Sequence, residues 1–390
     1  MITGRDFIIF SDDWGRHPFS CQHIMGHFLP HNRLLWVNTI GMRNPRLTVY
    51  DLKRSIEKVS SWFGSHEANR SPLPENLTVI SPVMTPYNNV SFVRALNRQT
   101  VIRTVKQALT TLHFCDPVVI TTLPNAADYV GALGEVLSVY YCVDDFTHWP
   151  GVDGDLIKRM EELLLDKVDF VCASSEDLCR KKSRNGARPM LLAHGVDFDH
   201  FQAQVGGAKQ ALPDCPSPVI GFFGAISSWL DFDLLASLAS MRPDWSFVLV
   251  GPVDTDVSSL ESLANVHLSG RVSYQELPAV AAGFAVALIP FQLNEMTRSV
   301  NPLKLMEYLA CGLPVVSTPL PEVLKFAGTV YIADSADGFA REIDLALAED
   351  SPEKRQARLE VARQFSWESV AETLSAAIES ALPVKGRATP

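Results

Sequence analysis

The chain lacks any apolar run approaching the 18 or so residues that a membrane-spanning helix needs. Its start, MITGRDFIIFSDDWGRH, turns acidic after four or five apolar residues and suits a first strand better than a signal-peptide core or an anchor. Cysteine is sparse: seven residues, an odd number, with no CxxC spacing, which excludes a disulfide framework or paired-cysteine zinc site and fits a reducing compartment. Neither DDWGRH nor GFFGAIS supplies Gly-x-Gly-x-x-Gly after a first strand, so a dinucleotide-dependent oxidoreductase would have no phosphate turn. Basic stretches interleaved with aromatics are missing, and the net charge is −10, which argues against nucleic acid as a partner. These absences leave a cytoplasmic globular protein as the expectation.

What is present is an ordinary globular composition, 47% hydrophobic and 20% charged, over 390 residues. That length exceeds one hydrophobic core and predicts two domains. Short β-branched or aromatic runs alternate with helical stretches throughout, the pattern of parallel sheets built from βαβ units. In the first half the predicted strands are 7–11, 34–38, 77–81, 118–122, 138–142, 169–173 and 190–193. Helices are predicted at 21–29, 90–112, 126–133 and 155–167, from apolar residues spaced by three and four. From Val205 to Pro218 the text VGGAKQALPDCPSP breaks every periodicity and reads as a linker. Strands then resume at 219–224, 246–250, 265–269, 285–291, 314–318 and 329–333. The division expected is an N-terminal domain 1–204, the linker 205–218, a C-terminal domain 219–364, and a terminal helix and tail 365–390. Two successive doubly wound α/β sheets follow, with a ligand cleft expected where the carboxyl ends of their strands face each other.

The chemistry concentrates after Phe284. A buried strand ends at Phe291, a polar loop leads to Asn301-Pro302, and Gly312 and Pro314 stop the next helix after Cys311. Asn301 suits an N-cap and Pro302 the first helical position. The exposed amino end of such a helix binds phosphate through unpaired N–H groups and the helix dipole. Lys304 could neutralise a diphosphate there while Glu307, on the same face, accepts hydrogen bonds from vicinal ribose hydroxyls. Spacing alone favours an ordinary surface ion pair between Lys304 and Glu307.

The run NPLKLMEYLACGLPVVST resembles the donor-site segment of group-1, family-4-like GT-B glycosyltransferases. HGVD at 194–197, GFFGAISSWLDFDLL at 221–235, the run NVHLSGRVSYQELPAVAAGFAVALIPF and the closing FSW before a helix are similar to that group as well, so that the resemblance covers nearly all of residues 110–380. It implies two Rossmann-like domains, a C-terminal helix returning to the first, and transfer of a hexose-type sugar from a nucleotide diphosphate sugar. The acceptor implied is a saccharide or a lipid-linked acceptor in surface or exopolysaccharide assembly. A nucleotide-sugar epimerase of the same fold, or a non-catalytic nucleotide-sugar-binding protein, stays open.

By the same resemblance Glu307 binds the ribose, residues from Thr297 through Arg298, Ser299, Asn301 and Leu303 to Lys304 hold diphosphate and sugar, Gly224 gives the phosphates room, and Arg271 adds positive charge. No metal or other cofactor is implied, since a helix dipole with basic side chains can stabilise a leaving diphosphate. Ser299 stands where many retaining members carry a first Glu, and Asp144-Asp145 follow a strand where relatives have a His-Asp pair. Either carboxylate is placed for acid–base work, although Asp is also a common capping residue. His148 is a weaker candidate. In the loop SDDWGRHPFSCQH, Asp12, Asp13, Arg16 and His17 are expected to touch the acceptor. Residues 1–115 hold 13 Lys or Arg against 7 Asp or Glu. Within them Arg94, Arg98, Arg103 and Lys106 lie on a helical stretch without acids, which suits either a solvated basic face or an anionic inner-leaflet surface.

Overall fold

The computed structural model describes residues 1–15, 19–39, 73–85, 87–149, 151–184, 186–202 and 212–383. The chain divides into two compact units: Met1–Leu192 joined by the chain from Ala371 onward, and Ala193–Val370. Residues 205–211 of the expected linker lie outside the described residues.

The first unit is a seven-stranded parallel sheet of order β3-β2-β1-β4-β5-β6-β7. Its strands are β1 (Asp6–Ser11), β2 (Arg33–Asn38), β3 (Leu77–Ile80), β4 (Val118–Thr121), β5 (Leu137–Cys142), β6 (Phe170–Ala173) and β7 (Met190–Leu191). The second is a six-stranded parallel sheet of order β10-β9-β8-β11-β12-β13. It comprises β8 (Val219–Phe223), β9 (Ser246–Val250), β10 (Val266–Leu268), β11 (Val286–Ile289), β12 (Val315–Ser317) and β13 (Tyr331–Ile332). β1, β4, β5, β8, β9, β11 and β12 are buried along their whole length, which explains why they read as continuous apolar runs rather than alternating ones. Each sheet reverses its winding once, between β1 and β4 in the first unit and between β8 and β11 in the second. Such switch points open a crevice at the carboxyl ends of the two strands, where ligands bind in this architecture.

Among the described residues the helices of eight residues or more are α1 (Ser20–Phe28), α2 (Ser91–Thr111), α3 (Gly154–Leu165), α4 (Phe232–Met241), α5 (Leu303–Ala310), α6 (Ala336–Glu349), α7 (Pro352–Gln364) and α8 (Trp367–Ala381). One predicted helix fails. Residues 126–133 hold only a 3-10 turn, Pro124–Asp128, because Gly131 and Gly134 take positive φ and the Glu135 carboxylate accepts the N–H groups of Gly131 and Leu133. At the start of α8 the Ser366 hydroxyl accepts the N–H of Ser369 and caps the helix. The second part of α8 groups with the first unit, where Ser375 Oγ accepts the Ile2 N–H at 2.6 Å.

Candidate functional site

In the second unit, Gly224 ends β8 with φ +137° and its N–H bonds the Val250 carbonyl at 2.8 Å. A Cβ on Gly251 would overlap the Gly224 carbonyl, so the turns after β8 and β9 touch only because residue 251 is glycine. The space over Gly224 is taken by Lys304: a Cβ there would overlap Cε and stand 2.6 Å from Nζ. Nζ lies 5.6 Å from the centre of the Phe222 ring and 6.0 Å from that of Phe291. The ammonium thus sits at the β8/β11 switch point, against one aromatic from the end of each flanking strand.

Helix α5 is locked to this point by Tyr308, whose hydroxyl accepts the Phe223 N–H at 3.0 Å and whose ring meets that of Phe223 edge-on at 4.7 Å. Leu305, Met306, Leu309 and Ala310 bury its other contacts. Its carboxyl end closes as a Schellman motif: Gly312 N–H bonds Leu309 O, Leu313 N–H bonds Tyr308 O, and Gly312 takes φ +74°. The amino end departs from expectation. The helix begins at Leu303, and Pro302, extended at ψ 113°, is its cap in place of Asn301. The extended proline delays the helical turn by one residue and presents no donor or side-chain acceptor. Among the described residues the N–H groups of Leu303 and Lys304 therefore have no acceptor.

The surface ion pair allowed by spacing does not form. Among the described residues neither Lys304 nor Glu307 makes a side-chain hydrogen bond or a close ion pair. Burial lifts the Glu307 carboxyl to about 7 against the partial compensation of the Lys304 charge, and burial holds the Lys304 ammonium below its usual range. Tyr274, whose hydroxyl is raised first by burial and then by the Glu307 charge, adds a wall stacked on His200 at 4.6 Å.

The remaining candidates in this unit fall into different environments. Thr297 is fully buried, and its hydroxyl is engaged with Asn294 and the Gln292 carbonyl in a capping box at Glu295–Arg298. Ser299 is fully buried as well, and Asn301 and Leu303 are half-buried. Arg298 points to solvent and pairs with Glu295 at 3.3 Å, while Arg271 is exposed. Of the cations assigned to phosphate, Lys304 alone is shielded at the switch point.

In the first unit, the two aspartates after β5 have been given opposite surroundings. Asp144 accepts the Asp145 N–H at 2.8 Å on Oδ1 and the Trp149 indole N–H at 3.0 Å on Oδ2, yet burial still raises its carboxyl to about 6. For Asp145 burial is outweighed by the Thr147 hydroxyl at 2.6 Å and the charges of Lys182 and Lys181, the latter 3.1 Å away, so its carboxyl stays below the usual range. His148 is exposed, 3.9 Å from Asp145. Beneath them lies a buried ion pair, Glu161 with Lys182 at 2.6 Å, their side chains 6% and 9% exposed. Tyr140 donates to the second Glu161 oxygen at 2.7 Å. Two carboxylates pushed apart in acidity mark Asp144 as the one able to exchange a proton near neutrality. Asp13 is half-buried beside Trp14, which packs edge-on against Trp36 at 4.9 Å; Arg16 and His17 lie outside the described residues.

Gly251, Phe222, Phe291, Trp149 and the Glu161–Lys182 pair were not anticipated. The glycine closing SFVLVG was a local signal for the first, whereas the others depend on tertiary neighbours. Among the described residues no group of three or more His, Cys, Asp or Glu could hold a metal ion, and no helix is long and apolar enough to cross a membrane.

Residues 217–349 match the family of glycosyl transferases group 1. TuaH of Bacillus subtilis (strain 168), a proposed teichuronic acid biosynthesis glycosyltransferase, is 29% identical over 227 residues, 54% of this chain and 57% of that protein. The match thus spans little more than half of the relative's length. Among solved structures, HepE of Anabaena in complex with UDP and glucose superposes with a TM-score of 0.65 at 14% identity, covering 96% of this chain and 99% of that one. Sucrose-phosphate synthase of Thermosynechococcus elongatus gives 0.69 at 14% identity over 97% and 99%. The trehalose-6-phosphate protein of E. coli bound with UDP-2-fluoro glucose gives 0.67 at 12% over 98% and 100%. The chain thus has the two-sheet GT-B fold of these structures, and its residues 217–349 match the model of the glycosyl transferases of group 1.

Proposed function

We propose that the protein transfers a hexose-type sugar from a nucleotide diphosphate sugar to a saccharide or lipid-linked acceptor in surface polysaccharide assembly. The observation that carries this reading is the half-buried pair of Lys304 and Glu307 at the β8/β11 switch point, without a side-chain hydrogen bond among the described residues, beside the open N–H groups of Leu303 and Lys304. A half-buried cation next to free backbone donors suits a diphosphate. A carboxylate one turn further along the helix suits a ribose diol. The missing side chain at Gly224 is what admits the Lys304 stem to this position. The group-1 match of residues 217–349 supports the same donor class, as do the UDP ligands named for the structural neighbours.

In this reading Lys304 and the start of α5 take up the charge on the leaving diphosphate, and no metal is assigned to that step. Asp144 is assigned to the acceptor hydroxyl, from which a carboxylate titrating near 6 can accept a proton. Asp145 holds the turn through Thr147 and Lys181. The name of the Bacillus relative favours a polysaccharide acceptor, and a lipid-linked one would bring the enzyme to an anionic inner leaflet.

Incubation with a panel of nucleotide sugars and lipid-linked saccharide extracts tests the reading through release of nucleoside diphosphate. Release that depends on both donor and acceptor supports it. Conversion of donor into an isomeric nucleotide sugar would replace it with epimerisation.

A further inference from the structure

Residues 82–85 and 87–96 turn apolar side chains outward although they are firmly held. Asn97, only 4% exposed, accepts the Thr85 N–H at 2.9 Å, donates to the Thr85 carbonyl at 2.8 Å and to Asn88 Oδ1 at 2.9 Å. Met84 is buried under the same loop. Against this anchor Val83, Tyr87, Val90, Phe92 and Leu96 are 47 to 72% exposed, Phe92 the most. Scattered exposed hydrophobics need no explanation, but five within fourteen residues of a hydrogen-bonded segment form a patch that ordinarily marks an interaction surface.

The patch continues into charge. On α2, Phe92, Leu96, Gln99, Arg103 and Lys106 recur at spacings of three and four, so the exposed aromatic and aliphatic side chains share a helix face with two exposed cations. Arg103 and Lys106 have no partner among the described residues, and no acidic residue occurs between 91 and 114. The other two basic residues of the stretch are committed elsewhere: Arg94 binds both Asp128 oxygens at 2.7 Å and Arg98 the Asp128 carbonyl at 3.0 Å. They brace α2 against the turn after β4 and hold its outward face in one orientation.

We propose that this face, Tyr87, Val90, Phe92 and Leu96 followed by Arg103 and Lys106, docks on an anionic lipid bilayer, the side chains of the first four entering the headgroup boundary and the two cations meeting lipid phosphates. An apolar tip beside unpaired positive charge is complementary to a negatively charged leaflet. The biological purpose rests on the lipid-linked acceptor proposed above; the surface itself does not.

Sedimentation with vesicles of phosphatidylcholine and phosphatidylglycerol, against phosphatidylcholine alone, tests it. The full chain is expected to be retained by the anionic vesicles at low salt and released at high salt. Arg103→Gln and Lys106→Gln should each weaken retention about fivefold, and Phe92→Ser with Leu96→Ser by at least tenfold. A Phe92→Trp variant should shift its emission to the blue on adding anionic vesicles. Failure of the wild type to sediment at low salt, retention indifferent to lipid charge, or self-association through Phe92 in place of vesicle binding would each overturn the proposal. Thermal stabilisation by nucleotide sugar, measured on the same variants, should be unchanged. Vesicle binding without any donor response would keep the surface and sink the transferase reading, and the reverse result would do the opposite.

Discussion

The aliphatic stem of Lys304 lies directly over the Cα of Gly224, so closely that no side chain fits at position 224 while Lys304 keeps its place. Gly224→Ala should move the ammonium off the Phe222 and Phe291 rings and strain a backbone held at φ +137°. The expected cost is about 1 to 3 kcal/mol in urea unfolding, with nucleotide-sugar affinity reduced at least about tenfold. Calorimetric titration of the same variant separates the two effects.

The two aspartates after β5 should behave differently. Asp144→Asn is expected to lower turnover about 100-fold or more with little change in donor affinity. Trp149→Phe removes a hydrogen bond to the ionised form of Asp144, so the acid limb of the rate–pH profile, near 6 in the wild type, should move upward. An unchanged limb would mean that Asp144 does not set it.

Stability should fall as pH rises through the window in which these buried carboxyls titrate. Asp144 is raised from 3.8 to about 6 and Glu307 from 4.5 to about 7. Between those values the unfolded chain has released protons that the folded chain retains, so raising the pH favours unfolding, and the effect levels off above about 7. Asp144→Asn should flatten the part of the slope below pH 6 and stabilise the protein at pH 7.5 by about 1 to 2 kcal/mol. Denaturant midpoints across pH 4 to 8 measure this directly.

Lys182→Met leaves Glu161 buried without its cation and should cost about 3 to 5 kcal/mol, most of it regained in the double variant with Glu161→Gln. Equal destabilisation of the single and double variants in urea would contradict the view that the pair is held together by mutual compensation.

Much of the architecture is legible in the sequence because parallel strands buried on both faces must be apolar over their full length. VIGFFG, SFVLV and AVALIPF each mark a real strand to within a residue or two. Residues 126–133 mislead because their apolar spacing is helical while Gly131 and Gly134 take backbone angles that spacing does not reveal. The start of α5 is displaced because Asn301-Pro302 has good capping composition, and the extended conformation chosen by Pro302 overrides it. The candidate site is less legible. Lys304 and Glu307 look like a surface pair until Phe222 and Phe291, some 80 and 13 residues away along the chain, are folded over the ammonium. Asp144 and Asp145 are chemically identical in sequence; Trp149, Thr147 and the lysines of a later helix give them separate roles.

Donor binding at Lys304 and Glu307 is the centre of the account, and thermal unfolding with a panel of nucleotide diphosphate sugars tests it most directly. At 100 times its dissociation constant a true donor should stabilise the wild type by about 2.7 kcal/mol, and Glu307→Ala should abolish that shift while unfolding cooperatively on its own. A Glu307→Ala protein that still responds to the donor as the wild type does would contradict the assignment.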